Sequence, residues 1–81
     1  ITTIRANLDK PANVQLHIFN MNGQLVYSFN EQYQDRGTVE YTWNGTDLSG
    51  QAAPSGIYIY QVTVDDGVQH LQSAKQMVLL K

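Results

Sequence analysis

Asn44, Thr46, Asp47 and Ser49 put oxygen donors at nearly alternate positions of one short stretch, the ligand type that calcium takes. One carboxylate stands among them, and no glutamate closes a loop at the twelfth position. The competing reading is a turn in which the Asn and Asp side chains accept from nearby backbone N–H groups. Trp43, Tyr41, Tyr58 and Tyr60 could stack on the apolar faces of a sugar. They fall on alternating strand positions, where a β-sandwich sets its core, so core packing is the expectation for them. Tyr27, Phe29 and Tyr33 are the better candidates for exposed aromatics. His17 and His70 have no carboxylate or nucleophile nearby in sequence, and a metal site needs three or four convergent ligands. Both are expected at solvent-facing strand positions. Ser28, Ser49, Ser55 and Ser73 lack the context of a nucleophile elbow. No glycine-rich loop opens a helix to hold phosphate. No catalytic, cofactor-binding or metal-ligating residue is therefore assigned, and the chain reads as a non-enzyme that needs no cofactor.

Composition narrows the class. Eighty-one residues make a single domain, and a chain this small buries only ~60% of its unfolded surface. There is no cysteine, which excludes a disulfide-rich scaffold but not export. Net charge is −2, and the five basic residues, Arg5, Lys10, Arg36, Lys75 and Lys81, are scattered. A nucleic-acid binder would carry a basic stripe. Charged residues make up 15% of the chain, against ~25% in typical soluble domains, so Asn, Gln, Ser and Thr carry the surface, as on extracellular β domains. No apolar run approaches the ~20 residues of a membrane-spanning helix. The chain opens at Ile1 with no signal peptide, and a missing upstream part is expected to carry the targeting segment.

Periodicity supplies the elements that would position these side chains. Residues 1–8 read as a strand, and Asp9-Lys10-Pro11-Ala12-Asn13 as a turn. Val14, Leu16 and Ile18 alternate with Gln15, His17 and Phe19, the period-2 pattern of a half-buried strand. Asn22-Gly23 is a strong hairpin signal, because both residues tolerate positive φ. Leu25, Tyr27 and Phe29 return, and residues 31–37 form a polar connection. Val39, Tyr41 and Trp43 mark a fourth strand. The loop 44–56 is dense in glycine and proline, which points to fixed turns. Residues 57–64 read as a central strand, apolar on both faces: Ile57 and Ile59 on one, Tyr58, Tyr60, Val62 and Val64 on the other. Asp65-Asp66-Gly67 predicts a tight turn. Residues 68–80 read as a last long strand, bulged near Ser73-Ala74. No segment reads as helix. Six to seven short antiparallel strands predict an all-β, immunoglobulin-like sandwich.

Met77-Val78-Leu79-Leu80 is apolar on both strand faces and lies between Lys75 and Lys81. Either this strand is buried between neighbours, or it is an edge that docks by strand addition.

These motifs, in this order, resemble the C-terminal sorting domain (type A) of proteins exported by the type IX secretion system of Bacteroidetes. They also resemble the immunoglobulin-like domain of the flagellar hook-capping protein family. Thr2-Thr3-Ile4-Arg5 is similar to the end of the family's "NP…TTIR" opening, and residues 20–26 to its "YNxxGqxV" hairpin. Residues 43–50 are similar to "WdGxdxxG", Pro54-Ser55-Gly56-Ile57-Tyr58 to "PsGxY", and residues 75–81 to the terminal "KkxvlxK". The "NP" is missing, Asn44 replaces the more usual aspartate, and Leu8-Asp9-Lys10-Pro11 is longer than the usual "L-P". The resemblance implies a non-catalytic signal that takes an upstream passenger domain from the periplasm through the outer membrane to the cell surface. Its implied partners are the outer-membrane export machinery and a sortase-like peptidase, and it implies recognition through Gly56, Tyr58, Lys75, Met77, Val78, Leu79, Leu80 and Lys81. The alternatives are a structural immunoglobulin-like spacer or assembly module, and a carbohydrate-binding module of a secreted enzyme.

Overall fold

The structure is a computed structural model that describes residues 2–80 of the chain, with side chains from residue 3 onward. Its described residues contain six strands and no helix: β1 (Thr2–Leu8), β2 (Ala12–Asn20), β3 (Leu25–Tyr33), β4 (Gly37–Trp43), β5 (Gly56–Asp65) and β6 (His70–Leu79). All pairings are antiparallel. β1 and β4 form a two-stranded sheet, and the other strands form a four-stranded sheet in the order β3-β2-β5-β6. This is the predicted all-β sandwich.

Alternation builds the core. Ala12, Val14, Leu16 and Ile18 of β2 are buried while Asn13, Gln15 and His17 between them are not. β1 contributes Ile4 and Leu8, β5 contributes Tyr58 and Val62, and the end of β6 contributes Met77 and Leu79. Trp43 and Ile18 are wholly enclosed. A side chain of their kind is worth ~1.5–3 kcal/mol when removed from water, so these two residues anchor the two sheets. β5 is central, as predicted.

Several local expectations change. The β5–β6 register runs from Gly56↔Leu79 to Asp65↔His70 without a shift, so Ser73-Ala74 carries no bulge. The bulge lies in β3 instead. Ile18 faces Tyr27 and Phe19 faces Leu25, which leaves Val26 as the extra residue. Strict alternation therefore fails at Val26: Val26 and Tyr27 both pack on the core, and Leu25 is turned out. At the β2–β3 turn, Gly23 has φ 81° and Asn22 does not have positive φ. The Asn20 carbonyl accepts from Gly23 N–H, and the Asn20 side chain accepts from Asn22 and Gln24 N–H. A side chain thus holds the turn, and Gly23 alone takes the left-handed conformation that glycine tolerates. The polar connection shrinks to residues 34–36, because β3 runs on to Tyr33. β6 starts at His70, because the Asp66 side chain holds the turn through Gln69.

Candidate functional site

Two regions collect the residues singled out by the sequence: the loop 44–56 and the terminal strand it abuts. The loop is a self-bonded corner. Asn44 Oδ1 accepts from Thr46 N–H (3.3 Å) and from the Thr46 hydroxyl (2.8 Å). Asp47 Oδ1 accepts from Ser49 N–H, the Ser49 hydroxyl and Gln51 N–H at 3.0, 2.7 and 3.0 Å. The Ser49 hydroxyl, then the Gln51 N–H, hold the Asp47 carboxyl below its ordinary range, since each bond favours the charged form. These oxygens accept from the loop's own donors, so residues 44–49 form the turn held by Asn and Asp side chains.

Main-chain bonds lock the corner to the sandwich. Gly45, with φ 82°, turns the chain so that its carbonyl accepts from Ala53 N–H at 2.7 Å. Trp43 Nε1 donates to the Thr46 carbonyl at 2.9 Å, which satisfies the one polar atom of a side chain otherwise enclosed in the core. Leu48 N–H donates to the carbonyl of Val26, the bulge residue, at 3.0 Å. Tyr58, near the start of β5, packs its ring edge-on to Trp43 with centroids 5.2 Å apart. It donates its hydroxyl to the Pro54 carbonyl at 2.6 Å. This is the tyrosine-corner arrangement of immunoglobulin-like sandwiches, in which a tyrosine at a strand start bonds the backbone a few residues upstream.

The corner fixes β5, and β5 sets the register of β6. Gly56 is paired with Leu79, Ile57 with Val78 and Tyr58 with Met77. Met77 and Leu79 turn into the core cluster with Trp43 and Tyr58. Val78 and Leu80 stay outside, 54% and 81% exposed. Lys75 is exposed on the inward-facing register of β6, opposite Tyr60. Lys81 lies outside the described residues. β6 is not flanked on both sides: β5 is its single partner among the described strands, so its outer backbone edge is open. β6 is thus an edge strand and is not buried between two neighbours.

The sequence pattern did not point to the neighbouring surface. Phe19 is paired with Ile59, and Ile57 with Val78, across β2, β5 and β6. They share the outward register of the sheet, so Phe19, Ile57, Ile59 and Val78 form an apolar strip that leads to Leu80. Ile57 is 40% exposed. The alternation of Ile57 and Ile59 was visible in the sequence, but the partners that extend it across strands are fixed by register.

Other candidates are displaced. Tyr27, Phe29 and Tyr33 are not an exposed row: all three pack against the core from half-buried positions. Tyr41 lies over two of them, 4.9 Å from Phe29 and 6.0 Å from Tyr27 between centroids. Burial first, and a hydrogen bond with Tyr27 second, push the Tyr41 hydroxyl well above its ordinary pKa. Burial followed by Glu31 raises that of Tyr33. Trp43 and Tyr58 are core residues, as expected, and Tyr60 packs against that core. His70 is exposed but does have a carboxylate neighbour, Asp65, with Nδ1 3.7 Å from Oδ2. His17 is half-buried and stacks on Phe19 with centroids 6.1 Å apart.

Comparison with known proteins agrees with this geometry. Two solved structures are similar. FlgD from P. aeruginosa is 25% identical with a TM-score of 0.71, over 95% of this chain and 62% of that one. Dimeric latent PorU from Porphyromonas gingivalis is 25% identical with a TM-score of 0.74, over 94% of this chain and 8% of that one. The chain thus spans less than two thirds of either. Among curated proteins, none matches. The family profile of the FlgD Ig-like domain matches residues 1–67, which include the β2–β3 hairpin, the Trp43 corner and all of β5. The chain belongs to the FlgD Ig-like domain family.

Proposed function

We propose that this domain is a docking module without chemistry of its own, and that it serves as a C-terminal sorting domain for an upstream passenger. The observation that carries the reading is the division of labour along the end of β6. Met77 and Leu79 are buried, while Val78 and Leu80 project from an open sheet edge. An open edge offers unpaired N–H and C=O groups to a receptor strand, and alternate side chains supply specificity. The sorting-domain resemblance adds the destination: across the outer membrane to the cell surface, with the export machinery and a sortase-like peptidase as partners. In this reading Gly56 and Tyr58 set the register of the strand, Val78 and Leu80 are read by the receptor, and Lys75 and Lys81 bracket the read segment. The recurrence of the fold in a small part of PorU supports a module carried by larger chains.

The test fuses a reporter upstream of Ile1 and follows its delivery to the cell surface. Removal of residues 75–81 would also take Met77 and Leu79 out of the core, so export would be lost for a trivial reason. The informative variants are Val78→Lys and Leu80→Lys, which alter exposed positions. Loss of surface reporter with an unchanged melting temperature supports the reading. Normal delivery of the double variant refutes it.

The FlgD match favours a second reading, a structural Ig-like module that stays in the mature protein. Mass spectrometry of the mature product separates the two: a chain that ends before Ile1 is incompatible with a permanent structural part. The aromatic row that a carbohydrate-binding module requires is half-buried here, and nothing in the geometry favours that alternative.

A further inference from the structure

Glycine follows asparagine twice in this chain, at Asn22-Gly23 and Asn44-Gly45, and follows aspartate once, at Asp66-Gly67. Such steps have a chemistry of their own. The glycine nitrogen can attack the side-chain carbonyl carbon before it, because no Cβ crowds the approach and the backbone bends freely enough to close a five-membered ring. The three steps are held differently. Asn44 Oδ1 accepts from Thr46 N–H and from the Thr46 hydroxyl, and Gly45 is buried. The Gly45 carbonyl is tied to Ala53 N–H and the Thr46 carbonyl to the Trp43 indole, so neither peptide plane swings without breaking the corner. Asp66 Oδ1 accepts from Gln69 and Val68 N–H, and the Lys10 ammonium lies 3.7 Å from its other oxygen. The Gln69 bond, then the Val68 bond, keep that carboxyl below its ordinary range, and an ionised carboxylate is a poor electrophile. Asn22 differs from both. It is exposed, as are Met21, Gly23 and Gln24 around it, and its side chain makes no hydrogen bond among the described residues. A Cβ on Gly23 would meet nothing within 4 Å, so the turn stands in open solvent. The bond that ring closure must release is the one from Gly23 N–H to the Asn20 carbonyl, at 3.0 Å.

We propose that Asn22 is a site of spontaneous covalent modification, which loses its amide while the fold preserves that of Asn44. Gly23 N bonds to Asn22 Cγ, the bond from Cγ to the amide nitrogen breaks, and the Gly23 N–H proton ends on the departing ammonia. A succinimide remains, and water adds to one of its two carbonyls. Opening at Cγ restores the ordinary main chain with an aspartyl side chain. Opening at the main-chain carbonyl leaves the chain running through Cβ and Cγ, an isoaspartyl linkage with one more backbone atom. The only co-reactant is water. The two products act differently on the turn. In the aspartyl form the main chain is unchanged, and the Asn20 side chain still accepts from the N–H groups of positions 22 and 24. In the isoaspartyl form the added atom falls between those two N–H groups, both of which Asn20 Oδ1 bridges at 3.0 Å. The bridge is broken and the entry to β3 loosens, while the corner and β6 are left as they are. Either product also adds one negative charge to a chain of net charge −2. This site does not depend on the docking role of β6.

The test incubates the whole chain in warm, mildly alkaline buffer, folded and in denaturing urea. Peptide mass spectrometry follows each position, and an isoaspartyl methyltransferase counts the isoaspartyl product. In the folded domain position 22 should convert about tenfold faster than position 44, a difference of ~1.4 kcal/mol in barrier. In urea, where the corner is lost, the two rates should converge, since glycine follows both. Thr46→Val, which deletes the hydroxyl bond to Asn44, should speed position 44 several-fold once a melting curve shows that the variant folds; the parent alone carries the main comparison. Ion exchange then isolates the products. The isoaspartyl form should melt below the parent and lose hydrogen-exchange protection at Gln24, whereas Asn22→Asp should melt like the parent. Four outcomes overturn the proposal: no conversion at position 22 in the time the unfolded chain converts, equal rates at 22 and 44 in the folded domain, faster conversion at 44 or 66 than at 22, or an isoaspartyl form that melts like the parent.

Discussion

Tyr58→Phe isolates the bond that locks the corner to β5. The substitution keeps the ring, and with it the edge-on contact to Trp43 and the burial of a side chain only 4% exposed. It removes one neutral hydrogen bond, the 2.6 Å contact to the Pro54 carbonyl. Such a bond contributes ~0.5–1.5 kcal/mol net, and the upper range applies when the abandoned partner stays buried. Pro54 is exposed, so water can reach its carbonyl and the expected cost is about 1 kcal/mol. A domain of this length has a total stability of roughly 4–12 kcal/mol, and 1 kcal/mol lowers its melting temperature by ~4–8 °C. Tyr58→Ala removes the ring as well and should cost ~3–5 kcal/mol, enough to unfold the domain at the lower end of that range. Urea titration followed by the fluorescence of Trp43 measures both variants. Hydrogen exchange adds a local readout: in Tyr58→Phe the amides of Leu48 and Ala53, both bonded across the corner, should exchange faster than the global change explains. A Tyr58→Phe melting point equal to the parent's, or a loss as large as that of Tyr58→Ala, would refute the role given to the hydroxyl.

Three further perturbations probe separate levels of the same fold. The Asp47 carboxyl is held down first by the Ser49 hydroxyl, and that of Asp66 first by Gln69 N–H. A lowered folded pKa gives stability that is present above the ordinary value of 3.8 and lost as pH falls through the folded value. Acid titration of Asp47→Asn should therefore show a shallower loss below that pH than the parent, and an identical acid limb contradicts the assignment. Gly23→Ala meets no atom within 4 Å but must adopt φ +81°, so it should cost ~1–2 kcal/mol through backbone strain; a neutral result in urea titration means that the turn relaxes. Ile18→Ala, at a fully enclosed position, should cost ~2–5 kcal/mol, and a value under 1 would show that β2 is not the spine of the core.

The strands were legible because the period-2 signal is strong where one face is buried and the other polar. β2 is the clearest case, with Val14, Leu16 and Ile18 set against Gln15 and His17. The corner was legible in kind but not in wiring. Asn44 and Asp47 are turn formers in any context, whereas the bond from Leu48 to Val26 depends on a bulge that no local pattern announces. That bulge was expected at Ser73-Ala74, where small residues weaken the alternation. Its site in β3 follows from the hairpin: Gly23 fixes the offset between Asn20 and Gln24, and Val26 absorbs the extra residue. The aromatics were misassigned for a related reason. Tyr27 and Phe29 have the composition of an exposed platform, and only the pairing of β4 with β1 brings Tyr41 over them. The outer strip is a property of register, since Phe19, Ile57, Ile59 and Val78 are scattered in the chain and adjacent only across strands.

An open β edge is a liability that soluble proteins blunt with charge, proline or a covering element. Among the described strands four are such edges, β1 and β4 of the small sheet and β3 and β6 of the large one, and each carries a charged side chain: Arg5, Glu40, Glu31 and Lys75. At the flank opposite β6, β3 carries Glu31, and its Tyr27 and Phe29 are covered by Tyr41. A fifth strand beside β6 would lengthen the large sheet past Val78. The rigid corner makes this workable. Residues 44–56 lie at the end of the sandwich, bonded to themselves and to β3, and they hold β5 in a single register. β6 can then present one face to a partner while Met77 and Leu79 stay in the core, so docking on this flank requires no unfolding of the domain.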